Sequence, residues 1–319
     1  VYIVTGGLGF IGSNLVKKLS DFGEKVCVVD YRDDASKLLN IANCKGVVDV
    51  ISPHTFRGSL DRFLSYNEVQ GVYHQGACTD TTVVNVERML GENLDFSKEV
   101  IIGCLKHGKK IVYASSAAVY GNNWNSEDTI NENPLNIYGV SKLLVDNFVR
   151  HIIFGTNPET TLVGLRYFNV YGNNENHKGK MASMIHQITE KVKQDKPPVL
   201  FKHGEQERDF IHVSDVVNLN LHFMDSDPRQ DIFNAGTGQT RTFLQIATYI
   251  SYVMEKTLGK KHMNPEYVDM PEDVRKFYQF NTKADLRKLR AAGYKKDFMP
   301  VTEGIRKTIA PDWKGDFSV

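Results

Sequence analysis

Two hydrophobic rhythms alternate along this chain. Short apolar runs bounded by glycine and polar residues occur at Val1–Thr5, Glu24–Asp30, Val69–Ala77 and Lys109–Ser116. Runs of that length predict buried strands. After the first run, Ile11, Leu15, Val16 and Leu19 recur at helical spacing, which predicts a helix. A further helix is expected after Asn136, whose side chain suits an N-cap. The second half predicts strands ending at Asn169, following Arg208 and covering Asp231–Gly236. It also predicts a helix from Val213 to Met224 with Ser214 as N-cap, and another from Phe243 to Leu258. Strands alternating with helices predict an α/β chain built on a parallel sheet.

Composition narrows the function classes. The 319 residues are 41% hydrophobic and 24% charged, as in ordinary globular chains. Lys plus Arg is 39 and Asp plus Glu is 38, for a net charge of +1. That balance gives no reason to expect nucleic acid or an anionic membrane surface. No apolar run approaches a transmembrane length, and the start does not read as a signal peptide. Cys27, Cys44, Cys78 and Cys104 lack the close spacing of metal or disulfide sites, so a reducing cytoplasm is expected. The length predicts two lobes. No Pro/Gly/Ser-rich linker separates them, so the chain is expected to cross between them repeatedly. Residues 1–168 with about 210–238 are assigned to the nucleotide half, and about 169–209 with 239–311 to the other. Residues 312–319 read as a patternless tail.

The first strand runs into Gly6-Gly7-Leu8-Gly9-Phe10-Ile11-Gly12 and then a helix. Glycines at 6, 9 and 12 allow a tight turn, close approach to a pyrophosphate and close helix packing. The context is that of a dinucleotide-binding turn in a Rossmann-type doubly wound sheet. Asp30 ends the second strand, 18 residues after Gly12, where an acid grips an adenosine ribose. Its bland alternative is a solvated strand end. Arg32 and Lys37 follow and suit a ribose 2′-phosphate, so NADP is expected, with NAD left open by Asp30.

The third and fourth runs deliver small and hydroxyl residues to the strands' carboxyl ends, where ligands bind in such sheets. Gln75-Gly76-Ala77 is followed by Thr79, Asp80, Thr81 and Thr82, and Lys109–Ser116 ends on two serines. His74 is expected to be a packed strand residue. Ser116 could donate to a carbonyl or alcohol oxygen, or simply cap a turn. In Asn136-Ile137-Tyr138-Gly139-Val140-Ser141-Lys142, a phenol and an ammonium lie four residues apart, on one helical face. The cation and the helix N-terminus are expected to lower the Tyr138 pKa from about 10. A phenol so poised can exchange a proton with an alcohol. Taken alone, the pair reads equally as part of an amphipathic helix.

In combination, Gly6-x-x-Gly9-x-x-Gly12, Asp30, Ser116 and Tyr138-x-x-x-Lys142 resemble the extended short-chain dehydrogenase/reductase family. The likeness continues through Leu165–Gly172 and Arg208–Val216 and extends to about residue 310. It implies a doubly wound parallel sheet with a smaller discontinuous α/β substrate lobe. It also implies that Tyr138 is the acid/base, that Lys142 tunes it and holds the nicotinamide ribose, and that Ser116 orients the reacting oxygen. The implied cofactor contacts are Gly6, Gly9, Phe10, Ile11, Gly12, Asp30, Tyr31, Arg32, Lys37, Gln75, Gly76, Ala77, Cys78, Thr79, Asn93, Tyr138, Lys142, Val170 and Lys178.

A narrower resemblance, to the family's sugar-nucleotide epimerases, rests on Gln75–Thr79, Tyr113–Ala118, Asn176–Ser183 and Ala284–Tyr294. It implies an ADP-linked heptose as substrate, a place in lipopolysaccharide core synthesis, and a homo-oligomer, a pentamer. Lys178 would be a second acid/base, as inverting a carbinol centre places the hydroxyl differently in the two epimers. A lysine serves as a base only if burial or a neighbouring cation, such as Lys142 or Lys180, lowers its pKa. Ser116, Asn169, Lys180, His186, Gln187, Phe201, Lys202, His203, Gly204, Arg208 and Tyr278 would line the sugar-nucleotide side, with Arg208 suited to a diphosphate. Tyr267 is expected to pack. The family pattern has Pro-Arg where Asn173-Asn174 stand here, and Ser where Lys180 stands. The alternatives are a UDP-sugar 4-epimerase of the same family and a non-catalytic dinucleotide sensor. Ala117-Ala118 after Ser116 supply no acidic pair for a dehydratase.

Overall fold

In a computed structural model of the chain, residues 1–80, 85–123, 131–276 and 278–313 are described. Thr81, Thr82 and residues 314–319 of the expected tail lie outside them. Twelve strands are present among the described residues. These are β1 (Tyr2–Thr5), β2 (Val26–Val29), β3 (Val47–Ile51), β4 (Gly71–His74), β5 (Lys110–Ser116), β6 (Leu162–Tyr167), β7 (Asn169–Tyr171), β8 (Val199–Phe201), β9 (Glu207–His212), β10 (Gln230–Ala235), β11 (Thr240–Thr242) and β12 (Glu266–Val268). Seven of them form one sheet in the order β10-β6-β5-β4-β1-β2-β3, every pair parallel. The order reverses between β1 and β4, which opens a crevice at their carboxyl ends.

β1, β4 and β6 are buried along their whole length, because helices cover both faces of the sheet. On one face, α1 (Phe10–Asp21) contributes Leu15, Val16 and Leu19, which pack with Val216, Leu219 and Phe223 of a later helix, Val213–Asp225. On the other, α2 (Phe96–Lys106) and α3 (Ile137–Phe148) contribute Val100, Ile101, Cys104 and Val145. The expected doubly wound parallel sheet is therefore present.

A second cluster lies outside this sheet. β7, β9 and β11 form a three-stranded sheet. Tyr171 and Phe210 from it pack with Ile185, Ile188 and Val192 of α4 (Met184–Lys193) and with Phe243, Ile246 and Ile250 of the helix Phe243–Leu258. That last helix has the bounds the sequence predicts, set by a Thr242/Gln245 capping box and a left-handed Gly259. The helix Val213–Asp225 has a different cap from the one expected. His212, in extended conformation, is the N-cap, and its ring Nδ1 accepts from the Ser214 amide. Ser214 is already inside the first turn.

Asn136 caps α3 as its sequence suggests, its Oδ1 accepting from Gly139 N at 2.8 Å. Asn136→Ala should cost about 1 kcal/mol, read as a lowered urea midpoint at unchanged m-value. No helix among the described residues is long and apolar enough to cross a membrane.

Candidate active site

The crevice between β1 and β4 is floored by the glycine turn. Gly6 has φ +65°, and a Cβ there would lie 2.7 Å from the Gly76 nitrogen. A Cβ on Gly12 would lie 2.1 Å from the Gly6 carbonyl oxygen. The turn therefore admits no side chain at these two positions. α1 starts at Gly9 without a side-chain cap and without an acid in its first turn, so its leading N–H groups are left for an anion. These observations fit the pyrophosphate of a dinucleotide.

Asp30 lies at the end of β2, 8% exposed. Its carboxylate accepts from Leu8 N at 2.9 Å and Tyr31 N at 2.8 Å, so it holds the glycine turn. Burial raises its pKa, with the Leu8 hydrogen bond opposing. A carboxylate has about four acceptor sites, which leaves capacity for ribose hydroxyls. Arg32 and Tyr31 beside it are exposed and Lys37 is half-buried; one Arg32 N–H reaches Val50 O at 3.3 Å.

At the end of β4, His74 is buried as expected, its ring nitrogens bonded to Thr5 Oγ1 and Ser97 Oγ. Burial pushes its pKa down to about 3, so it is neutral and no general base. Gln75 is fixed by Tyr167 and Asn220, and Gly76 N donates to Thr5 Oγ1. Ala77 and Cys78 follow, half-buried, and Thr79 is exposed. Fully buried Asn93 clasps Cys78 through both N–H and carbonyl, and donates to Ser141 Oγ on α3. It thereby ties the β4 loop to the Tyr138 helix.

Ser116 ends β5 near enough to the Tyr138 phenol for its hydroxyl to act on the phenol's pKa; the Ser116 oxygen accepts from Ala118 N. Lys142, 3% exposed, donates to Ala114 O at 2.8 Å. One turn further, Asp146 accepts from Ser115 Oγ and Tyr113 OH. The three side chains at 138, 142 and 146 thus lie along one stripe and fasten α3 to β5 rung by rung. The expected lowering of the Tyr138 pKa is not found. Burial raises it, and the Ser116 hydroxyl opposes. Burial likewise lowers Lys142 to about 8, with Asp146 opposing. Desolvation is the largest influence on both, and the Tyr138–Lys142 attraction on which the sequence expectation rested is not among the causes.

Lys178 lies in the 3₁₀ segment Asn176–Met181. Its ammonium stands 5.0 Å above the Phe10 ring, at the glycine turn. Burial lowers its pKa, with Glu175 opposing; Lys142 and Lys180 are not the cause. Lys180 is exposed, and the Gln187 side chain folds back to Lys180 O and Ala182 O while His186 stays half-buried. Val170 is half-buried on β7, and Asn169 donates to Thr282 Oγ1.

On the far side, Arg208 is 7% exposed and lies between the Phe243 and Tyr278 rings, at 5.4 and 5.1 Å. Its guanidinium donates to the carbonyls of Glu207, Gln279 and Phe280, which sequence reading did not anticipate. Phe201 meets Tyr278 edge-on at 5.9 Å, and Gly204 is buried. Lys202 and His203 have other neighbours: an exposed ion pair with Asp269, and the Tyr267 ring. Tyr267 is 41% exposed rather than packed, since β12 is buried on neither face.

The comparisons agree with this geometry. Over 310 residues the chain is 41% identical to an ADP-L-glycero-D-manno-heptose-6-epimerase of Brachyspira hyodysenteriae, covering 96% of this chain and 95% of the relative. The crystal structure of the Helicobacter pylori ADP-L-glycero-D-manno-heptose-6-epimerase superposes with a TM-score of 0.82 at 31% identity, over 97% of this chain and 95% of that one. A UDP-N-acetylglucosamine 4-epimerase of Methanobrevibacter ruminantium, in complex with UDP-N-acetylmuramic acid, gives the same TM-score at 26% identity, covering 97% and 96%. Residues 2–236 match the description "NAD dependent epimerase/dehydratase family". With the glycine turn, the Ser116/Tyr138/Lys142 seam and these matches in agreement, the chain belongs to the NAD dependent epimerase/dehydratase family.

Proposed function

We propose that the protein interconverts ADP-D-glycero-D-manno-heptose and ADP-L-glycero-D-manno-heptose by epimerising C6, with a 6-keto sugar between them, and so serves lipopolysaccharide core synthesis. The observation that carries the substrate is the full-length 41% identity to a named heptose 6-epimerase. The site's geometry carries the chemistry. A bound nicotinamide dinucleotide would supply the reversible hydride chemistry at C6.

The chain's own residues do the rest. The glycine turn and the α1 N-terminus hold the pyrophosphate. Asp30 holds the adenosine ribose, and Lys142 the nicotinamide ribose. Ser116 orients the C6 oxygen through its hydroxyl. Tyr138 takes or gives the C6 hydroxyl proton for one epimer, and Lys178 for the other. Since the hydride comes off and returns to the same sugar, no external oxidant is consumed.

The test is incubation with ADP-D-glycero-D-manno-heptose and, separately, UDP-galactose. Epimer formation from the first alone supports the reading. Turnover of UDP-galactose alone would install the 4-epimerase in its place. Fluorescence changes without product from either would favour a sensor.

The cofactor is NADP on this reading. Support comes from Arg32, just beyond β2, and Lys37, in the short helix Ala35–Leu39 that follows, with Arg32 exposed and one of its N–H groups on Val50 O. Replacing both by Ala should weaken NADP relative to NAD by about tenfold, or about 1.4 kcal/mol, read by titrating each nucleotide and by mass spectrometry of the nucleotide retained.

A pH dependence also follows. Lys142 acts as an ammonium, and burial brings its pKa to about 8. Epimerisation should therefore fall as pH rises through about 8, and a rate that stays level well above it would contradict the role.

A further inference from the structure

Between Gly172 and Ser183 the chain leaves β7 and returns as α4, and its course converges on one carboxylate. Glu175 is 1% exposed. One oxygen accepts the Gly172 N–H at 3.1 Å and the Ser183 hydroxyl at 2.8 Å; the other accepts the Ser183 N–H at 2.6 Å. Both feet of the loop are thus bonded to the same side chain. The Glu175 carbonyl accepts the Lys178 N–H at 2.9 Å, so its backbone fixes the loop's tip.

Weaker ties orient the outer arm. Asn14 donates to Asn173 O at 2.9 Å, and Asn174 donates to Ser13 Oγ at 3.0 Å. Asn174 has φ +74°, a left-handed conformation that asparagine tolerates better than most residues. Both bonds run to α1. The His177 ring lies 3.4 Å from the Asn40 amide, which also donates to Leu8 O in the glycine turn.

We propose that Glu175 is a positioning residue for Lys178: its buried carboxylate closes the 172–183 loop and so stands the ammonium at the glycine turn. The inference rests on the reading of Lys178 as a proton carrier. A carboxylate suits the task because it presents acceptors only, and all three partners are donors. A glutamine in its place turns an NH2 group towards one of those donors, and the loop has to open to relieve the contact. Displacement of a reacting group by about 1 Å costs on the order of 100-fold in rate.

The experiment compares wild type, Glu175→Gln, Lys178→Met and the double variant, with the sugar nucleotide as substrate and retained cofactor measured on each. Glu175→Gln should lower kcat by about 30-fold. KM and cofactor content should stay within about twofold, since the glycine turn, Asp30 and Lys142, which hold most of the cofactor, are untouched. In the Lys178→Met background the same substitution should cost nothing further, because residues that act through one another are not additive. An equal loss in both backgrounds, or wild-type kcat in Glu175→Gln, overturns the proposal. Full activity in Lys178→Met would instead remove the reading of Lys178 on which it rests. Should Glu175→Gln fail to fold, Ser183→Ala removes a single partner and keeps the carboxylate. It should lower kcat several-fold with Lys178 present and not in the Lys178→Met background; an equal loss in both would also overturn the proposal.

Discussion

Tyr138→Phe is expected to lower epimerisation by about 1,000-fold, within the range of general acid–base catalysis, while the protein folds and keeps its cofactor. The phenol oxygen is the only atom removed, so the ring's packing in the α3–β5 seam is retained. The contact removed is the one between the phenol oxygen and the Ser116 hydroxyl, which still accepts from Ala118 N. Its loss should cost no more than about 1 kcal/mol of stability. The large effect therefore belongs to proton transfer and should appear in kcat with KM little changed. Measurement requires kcat and KM for the heptose substrate, a thermal melt, and the nucleotide content of the purified variant. Turnover near the wild-type rate would end the role of Tyr138. A loss of retained nucleotide in parallel with activity would reassign it to cofactor binding.

The corrected electrostatics sharpen this expectation. The sequence pairs Tyr138 with a cation at helical spacing and predicts a lowered pKa. In the folded protein Lys142 spends a proton on Ala114 O, and both groups are desolvated. Burial raises the phenol and lowers the ammonium. The spacing conveys that the two side chains share a face; it carries no information on how much water the fold removes.

The same division holds across the molecule. Features set by neighbours in sequence were legible. The strand–glycine turn–helix, the Asn136 cap and the helix Phe243–Leu258 depend on residues within a few positions of one another. His212 displaced Ser214 as a cap because its backbone stays extended where β9 ends, which is decided by the sheet. Partners far apart in sequence left no signal. Arg208 read as a diphosphate ligand, and nothing local shows that its donors meet the carbonyls of 279 and 280. Glu175 likewise drew no reading from the sequence, although an acid inside Asn173–Ser183 beside a candidate lysine is a usable hint.

Arg166→Met should be the most destabilising single change in the site's foundations, at about 3–5 kcal/mol. Arg166 is fully buried on β6. Its Nε donates to Asp146 at 2.9 Å, one terminal nitrogen donates to Tyr120 OH at 2.9 Å, and the other meets Glu132. Arg150 donates to the same Glu132 at 2.9 Å. Two arginines and two carboxylates thus neutralise one another inside the protein. Methionine keeps much of the volume but leaves the buried Asp146 charge without its guanidinium, with the hydroxyls of Tyr113 and Ser115 as hydrogen-bond partners and the Lys142 ammonium one turn away. A domain's whole stability is about 5–15 kcal/mol, so the variant should unfold at a far lower urea concentration. Replacing Asp146 by Leu in the same chain should recover part of the loss, since the unpaired charge goes with it. Recovery by the double variant would show that the cost lies in the orphaned carboxylate. Equal, additive losses would place it in packing instead. Because Asp146 is the last rung that fastens α3 to β5, even a recovered double variant should epimerise more slowly than wild type, as the Tyr138–Ser116 contact depends on that register.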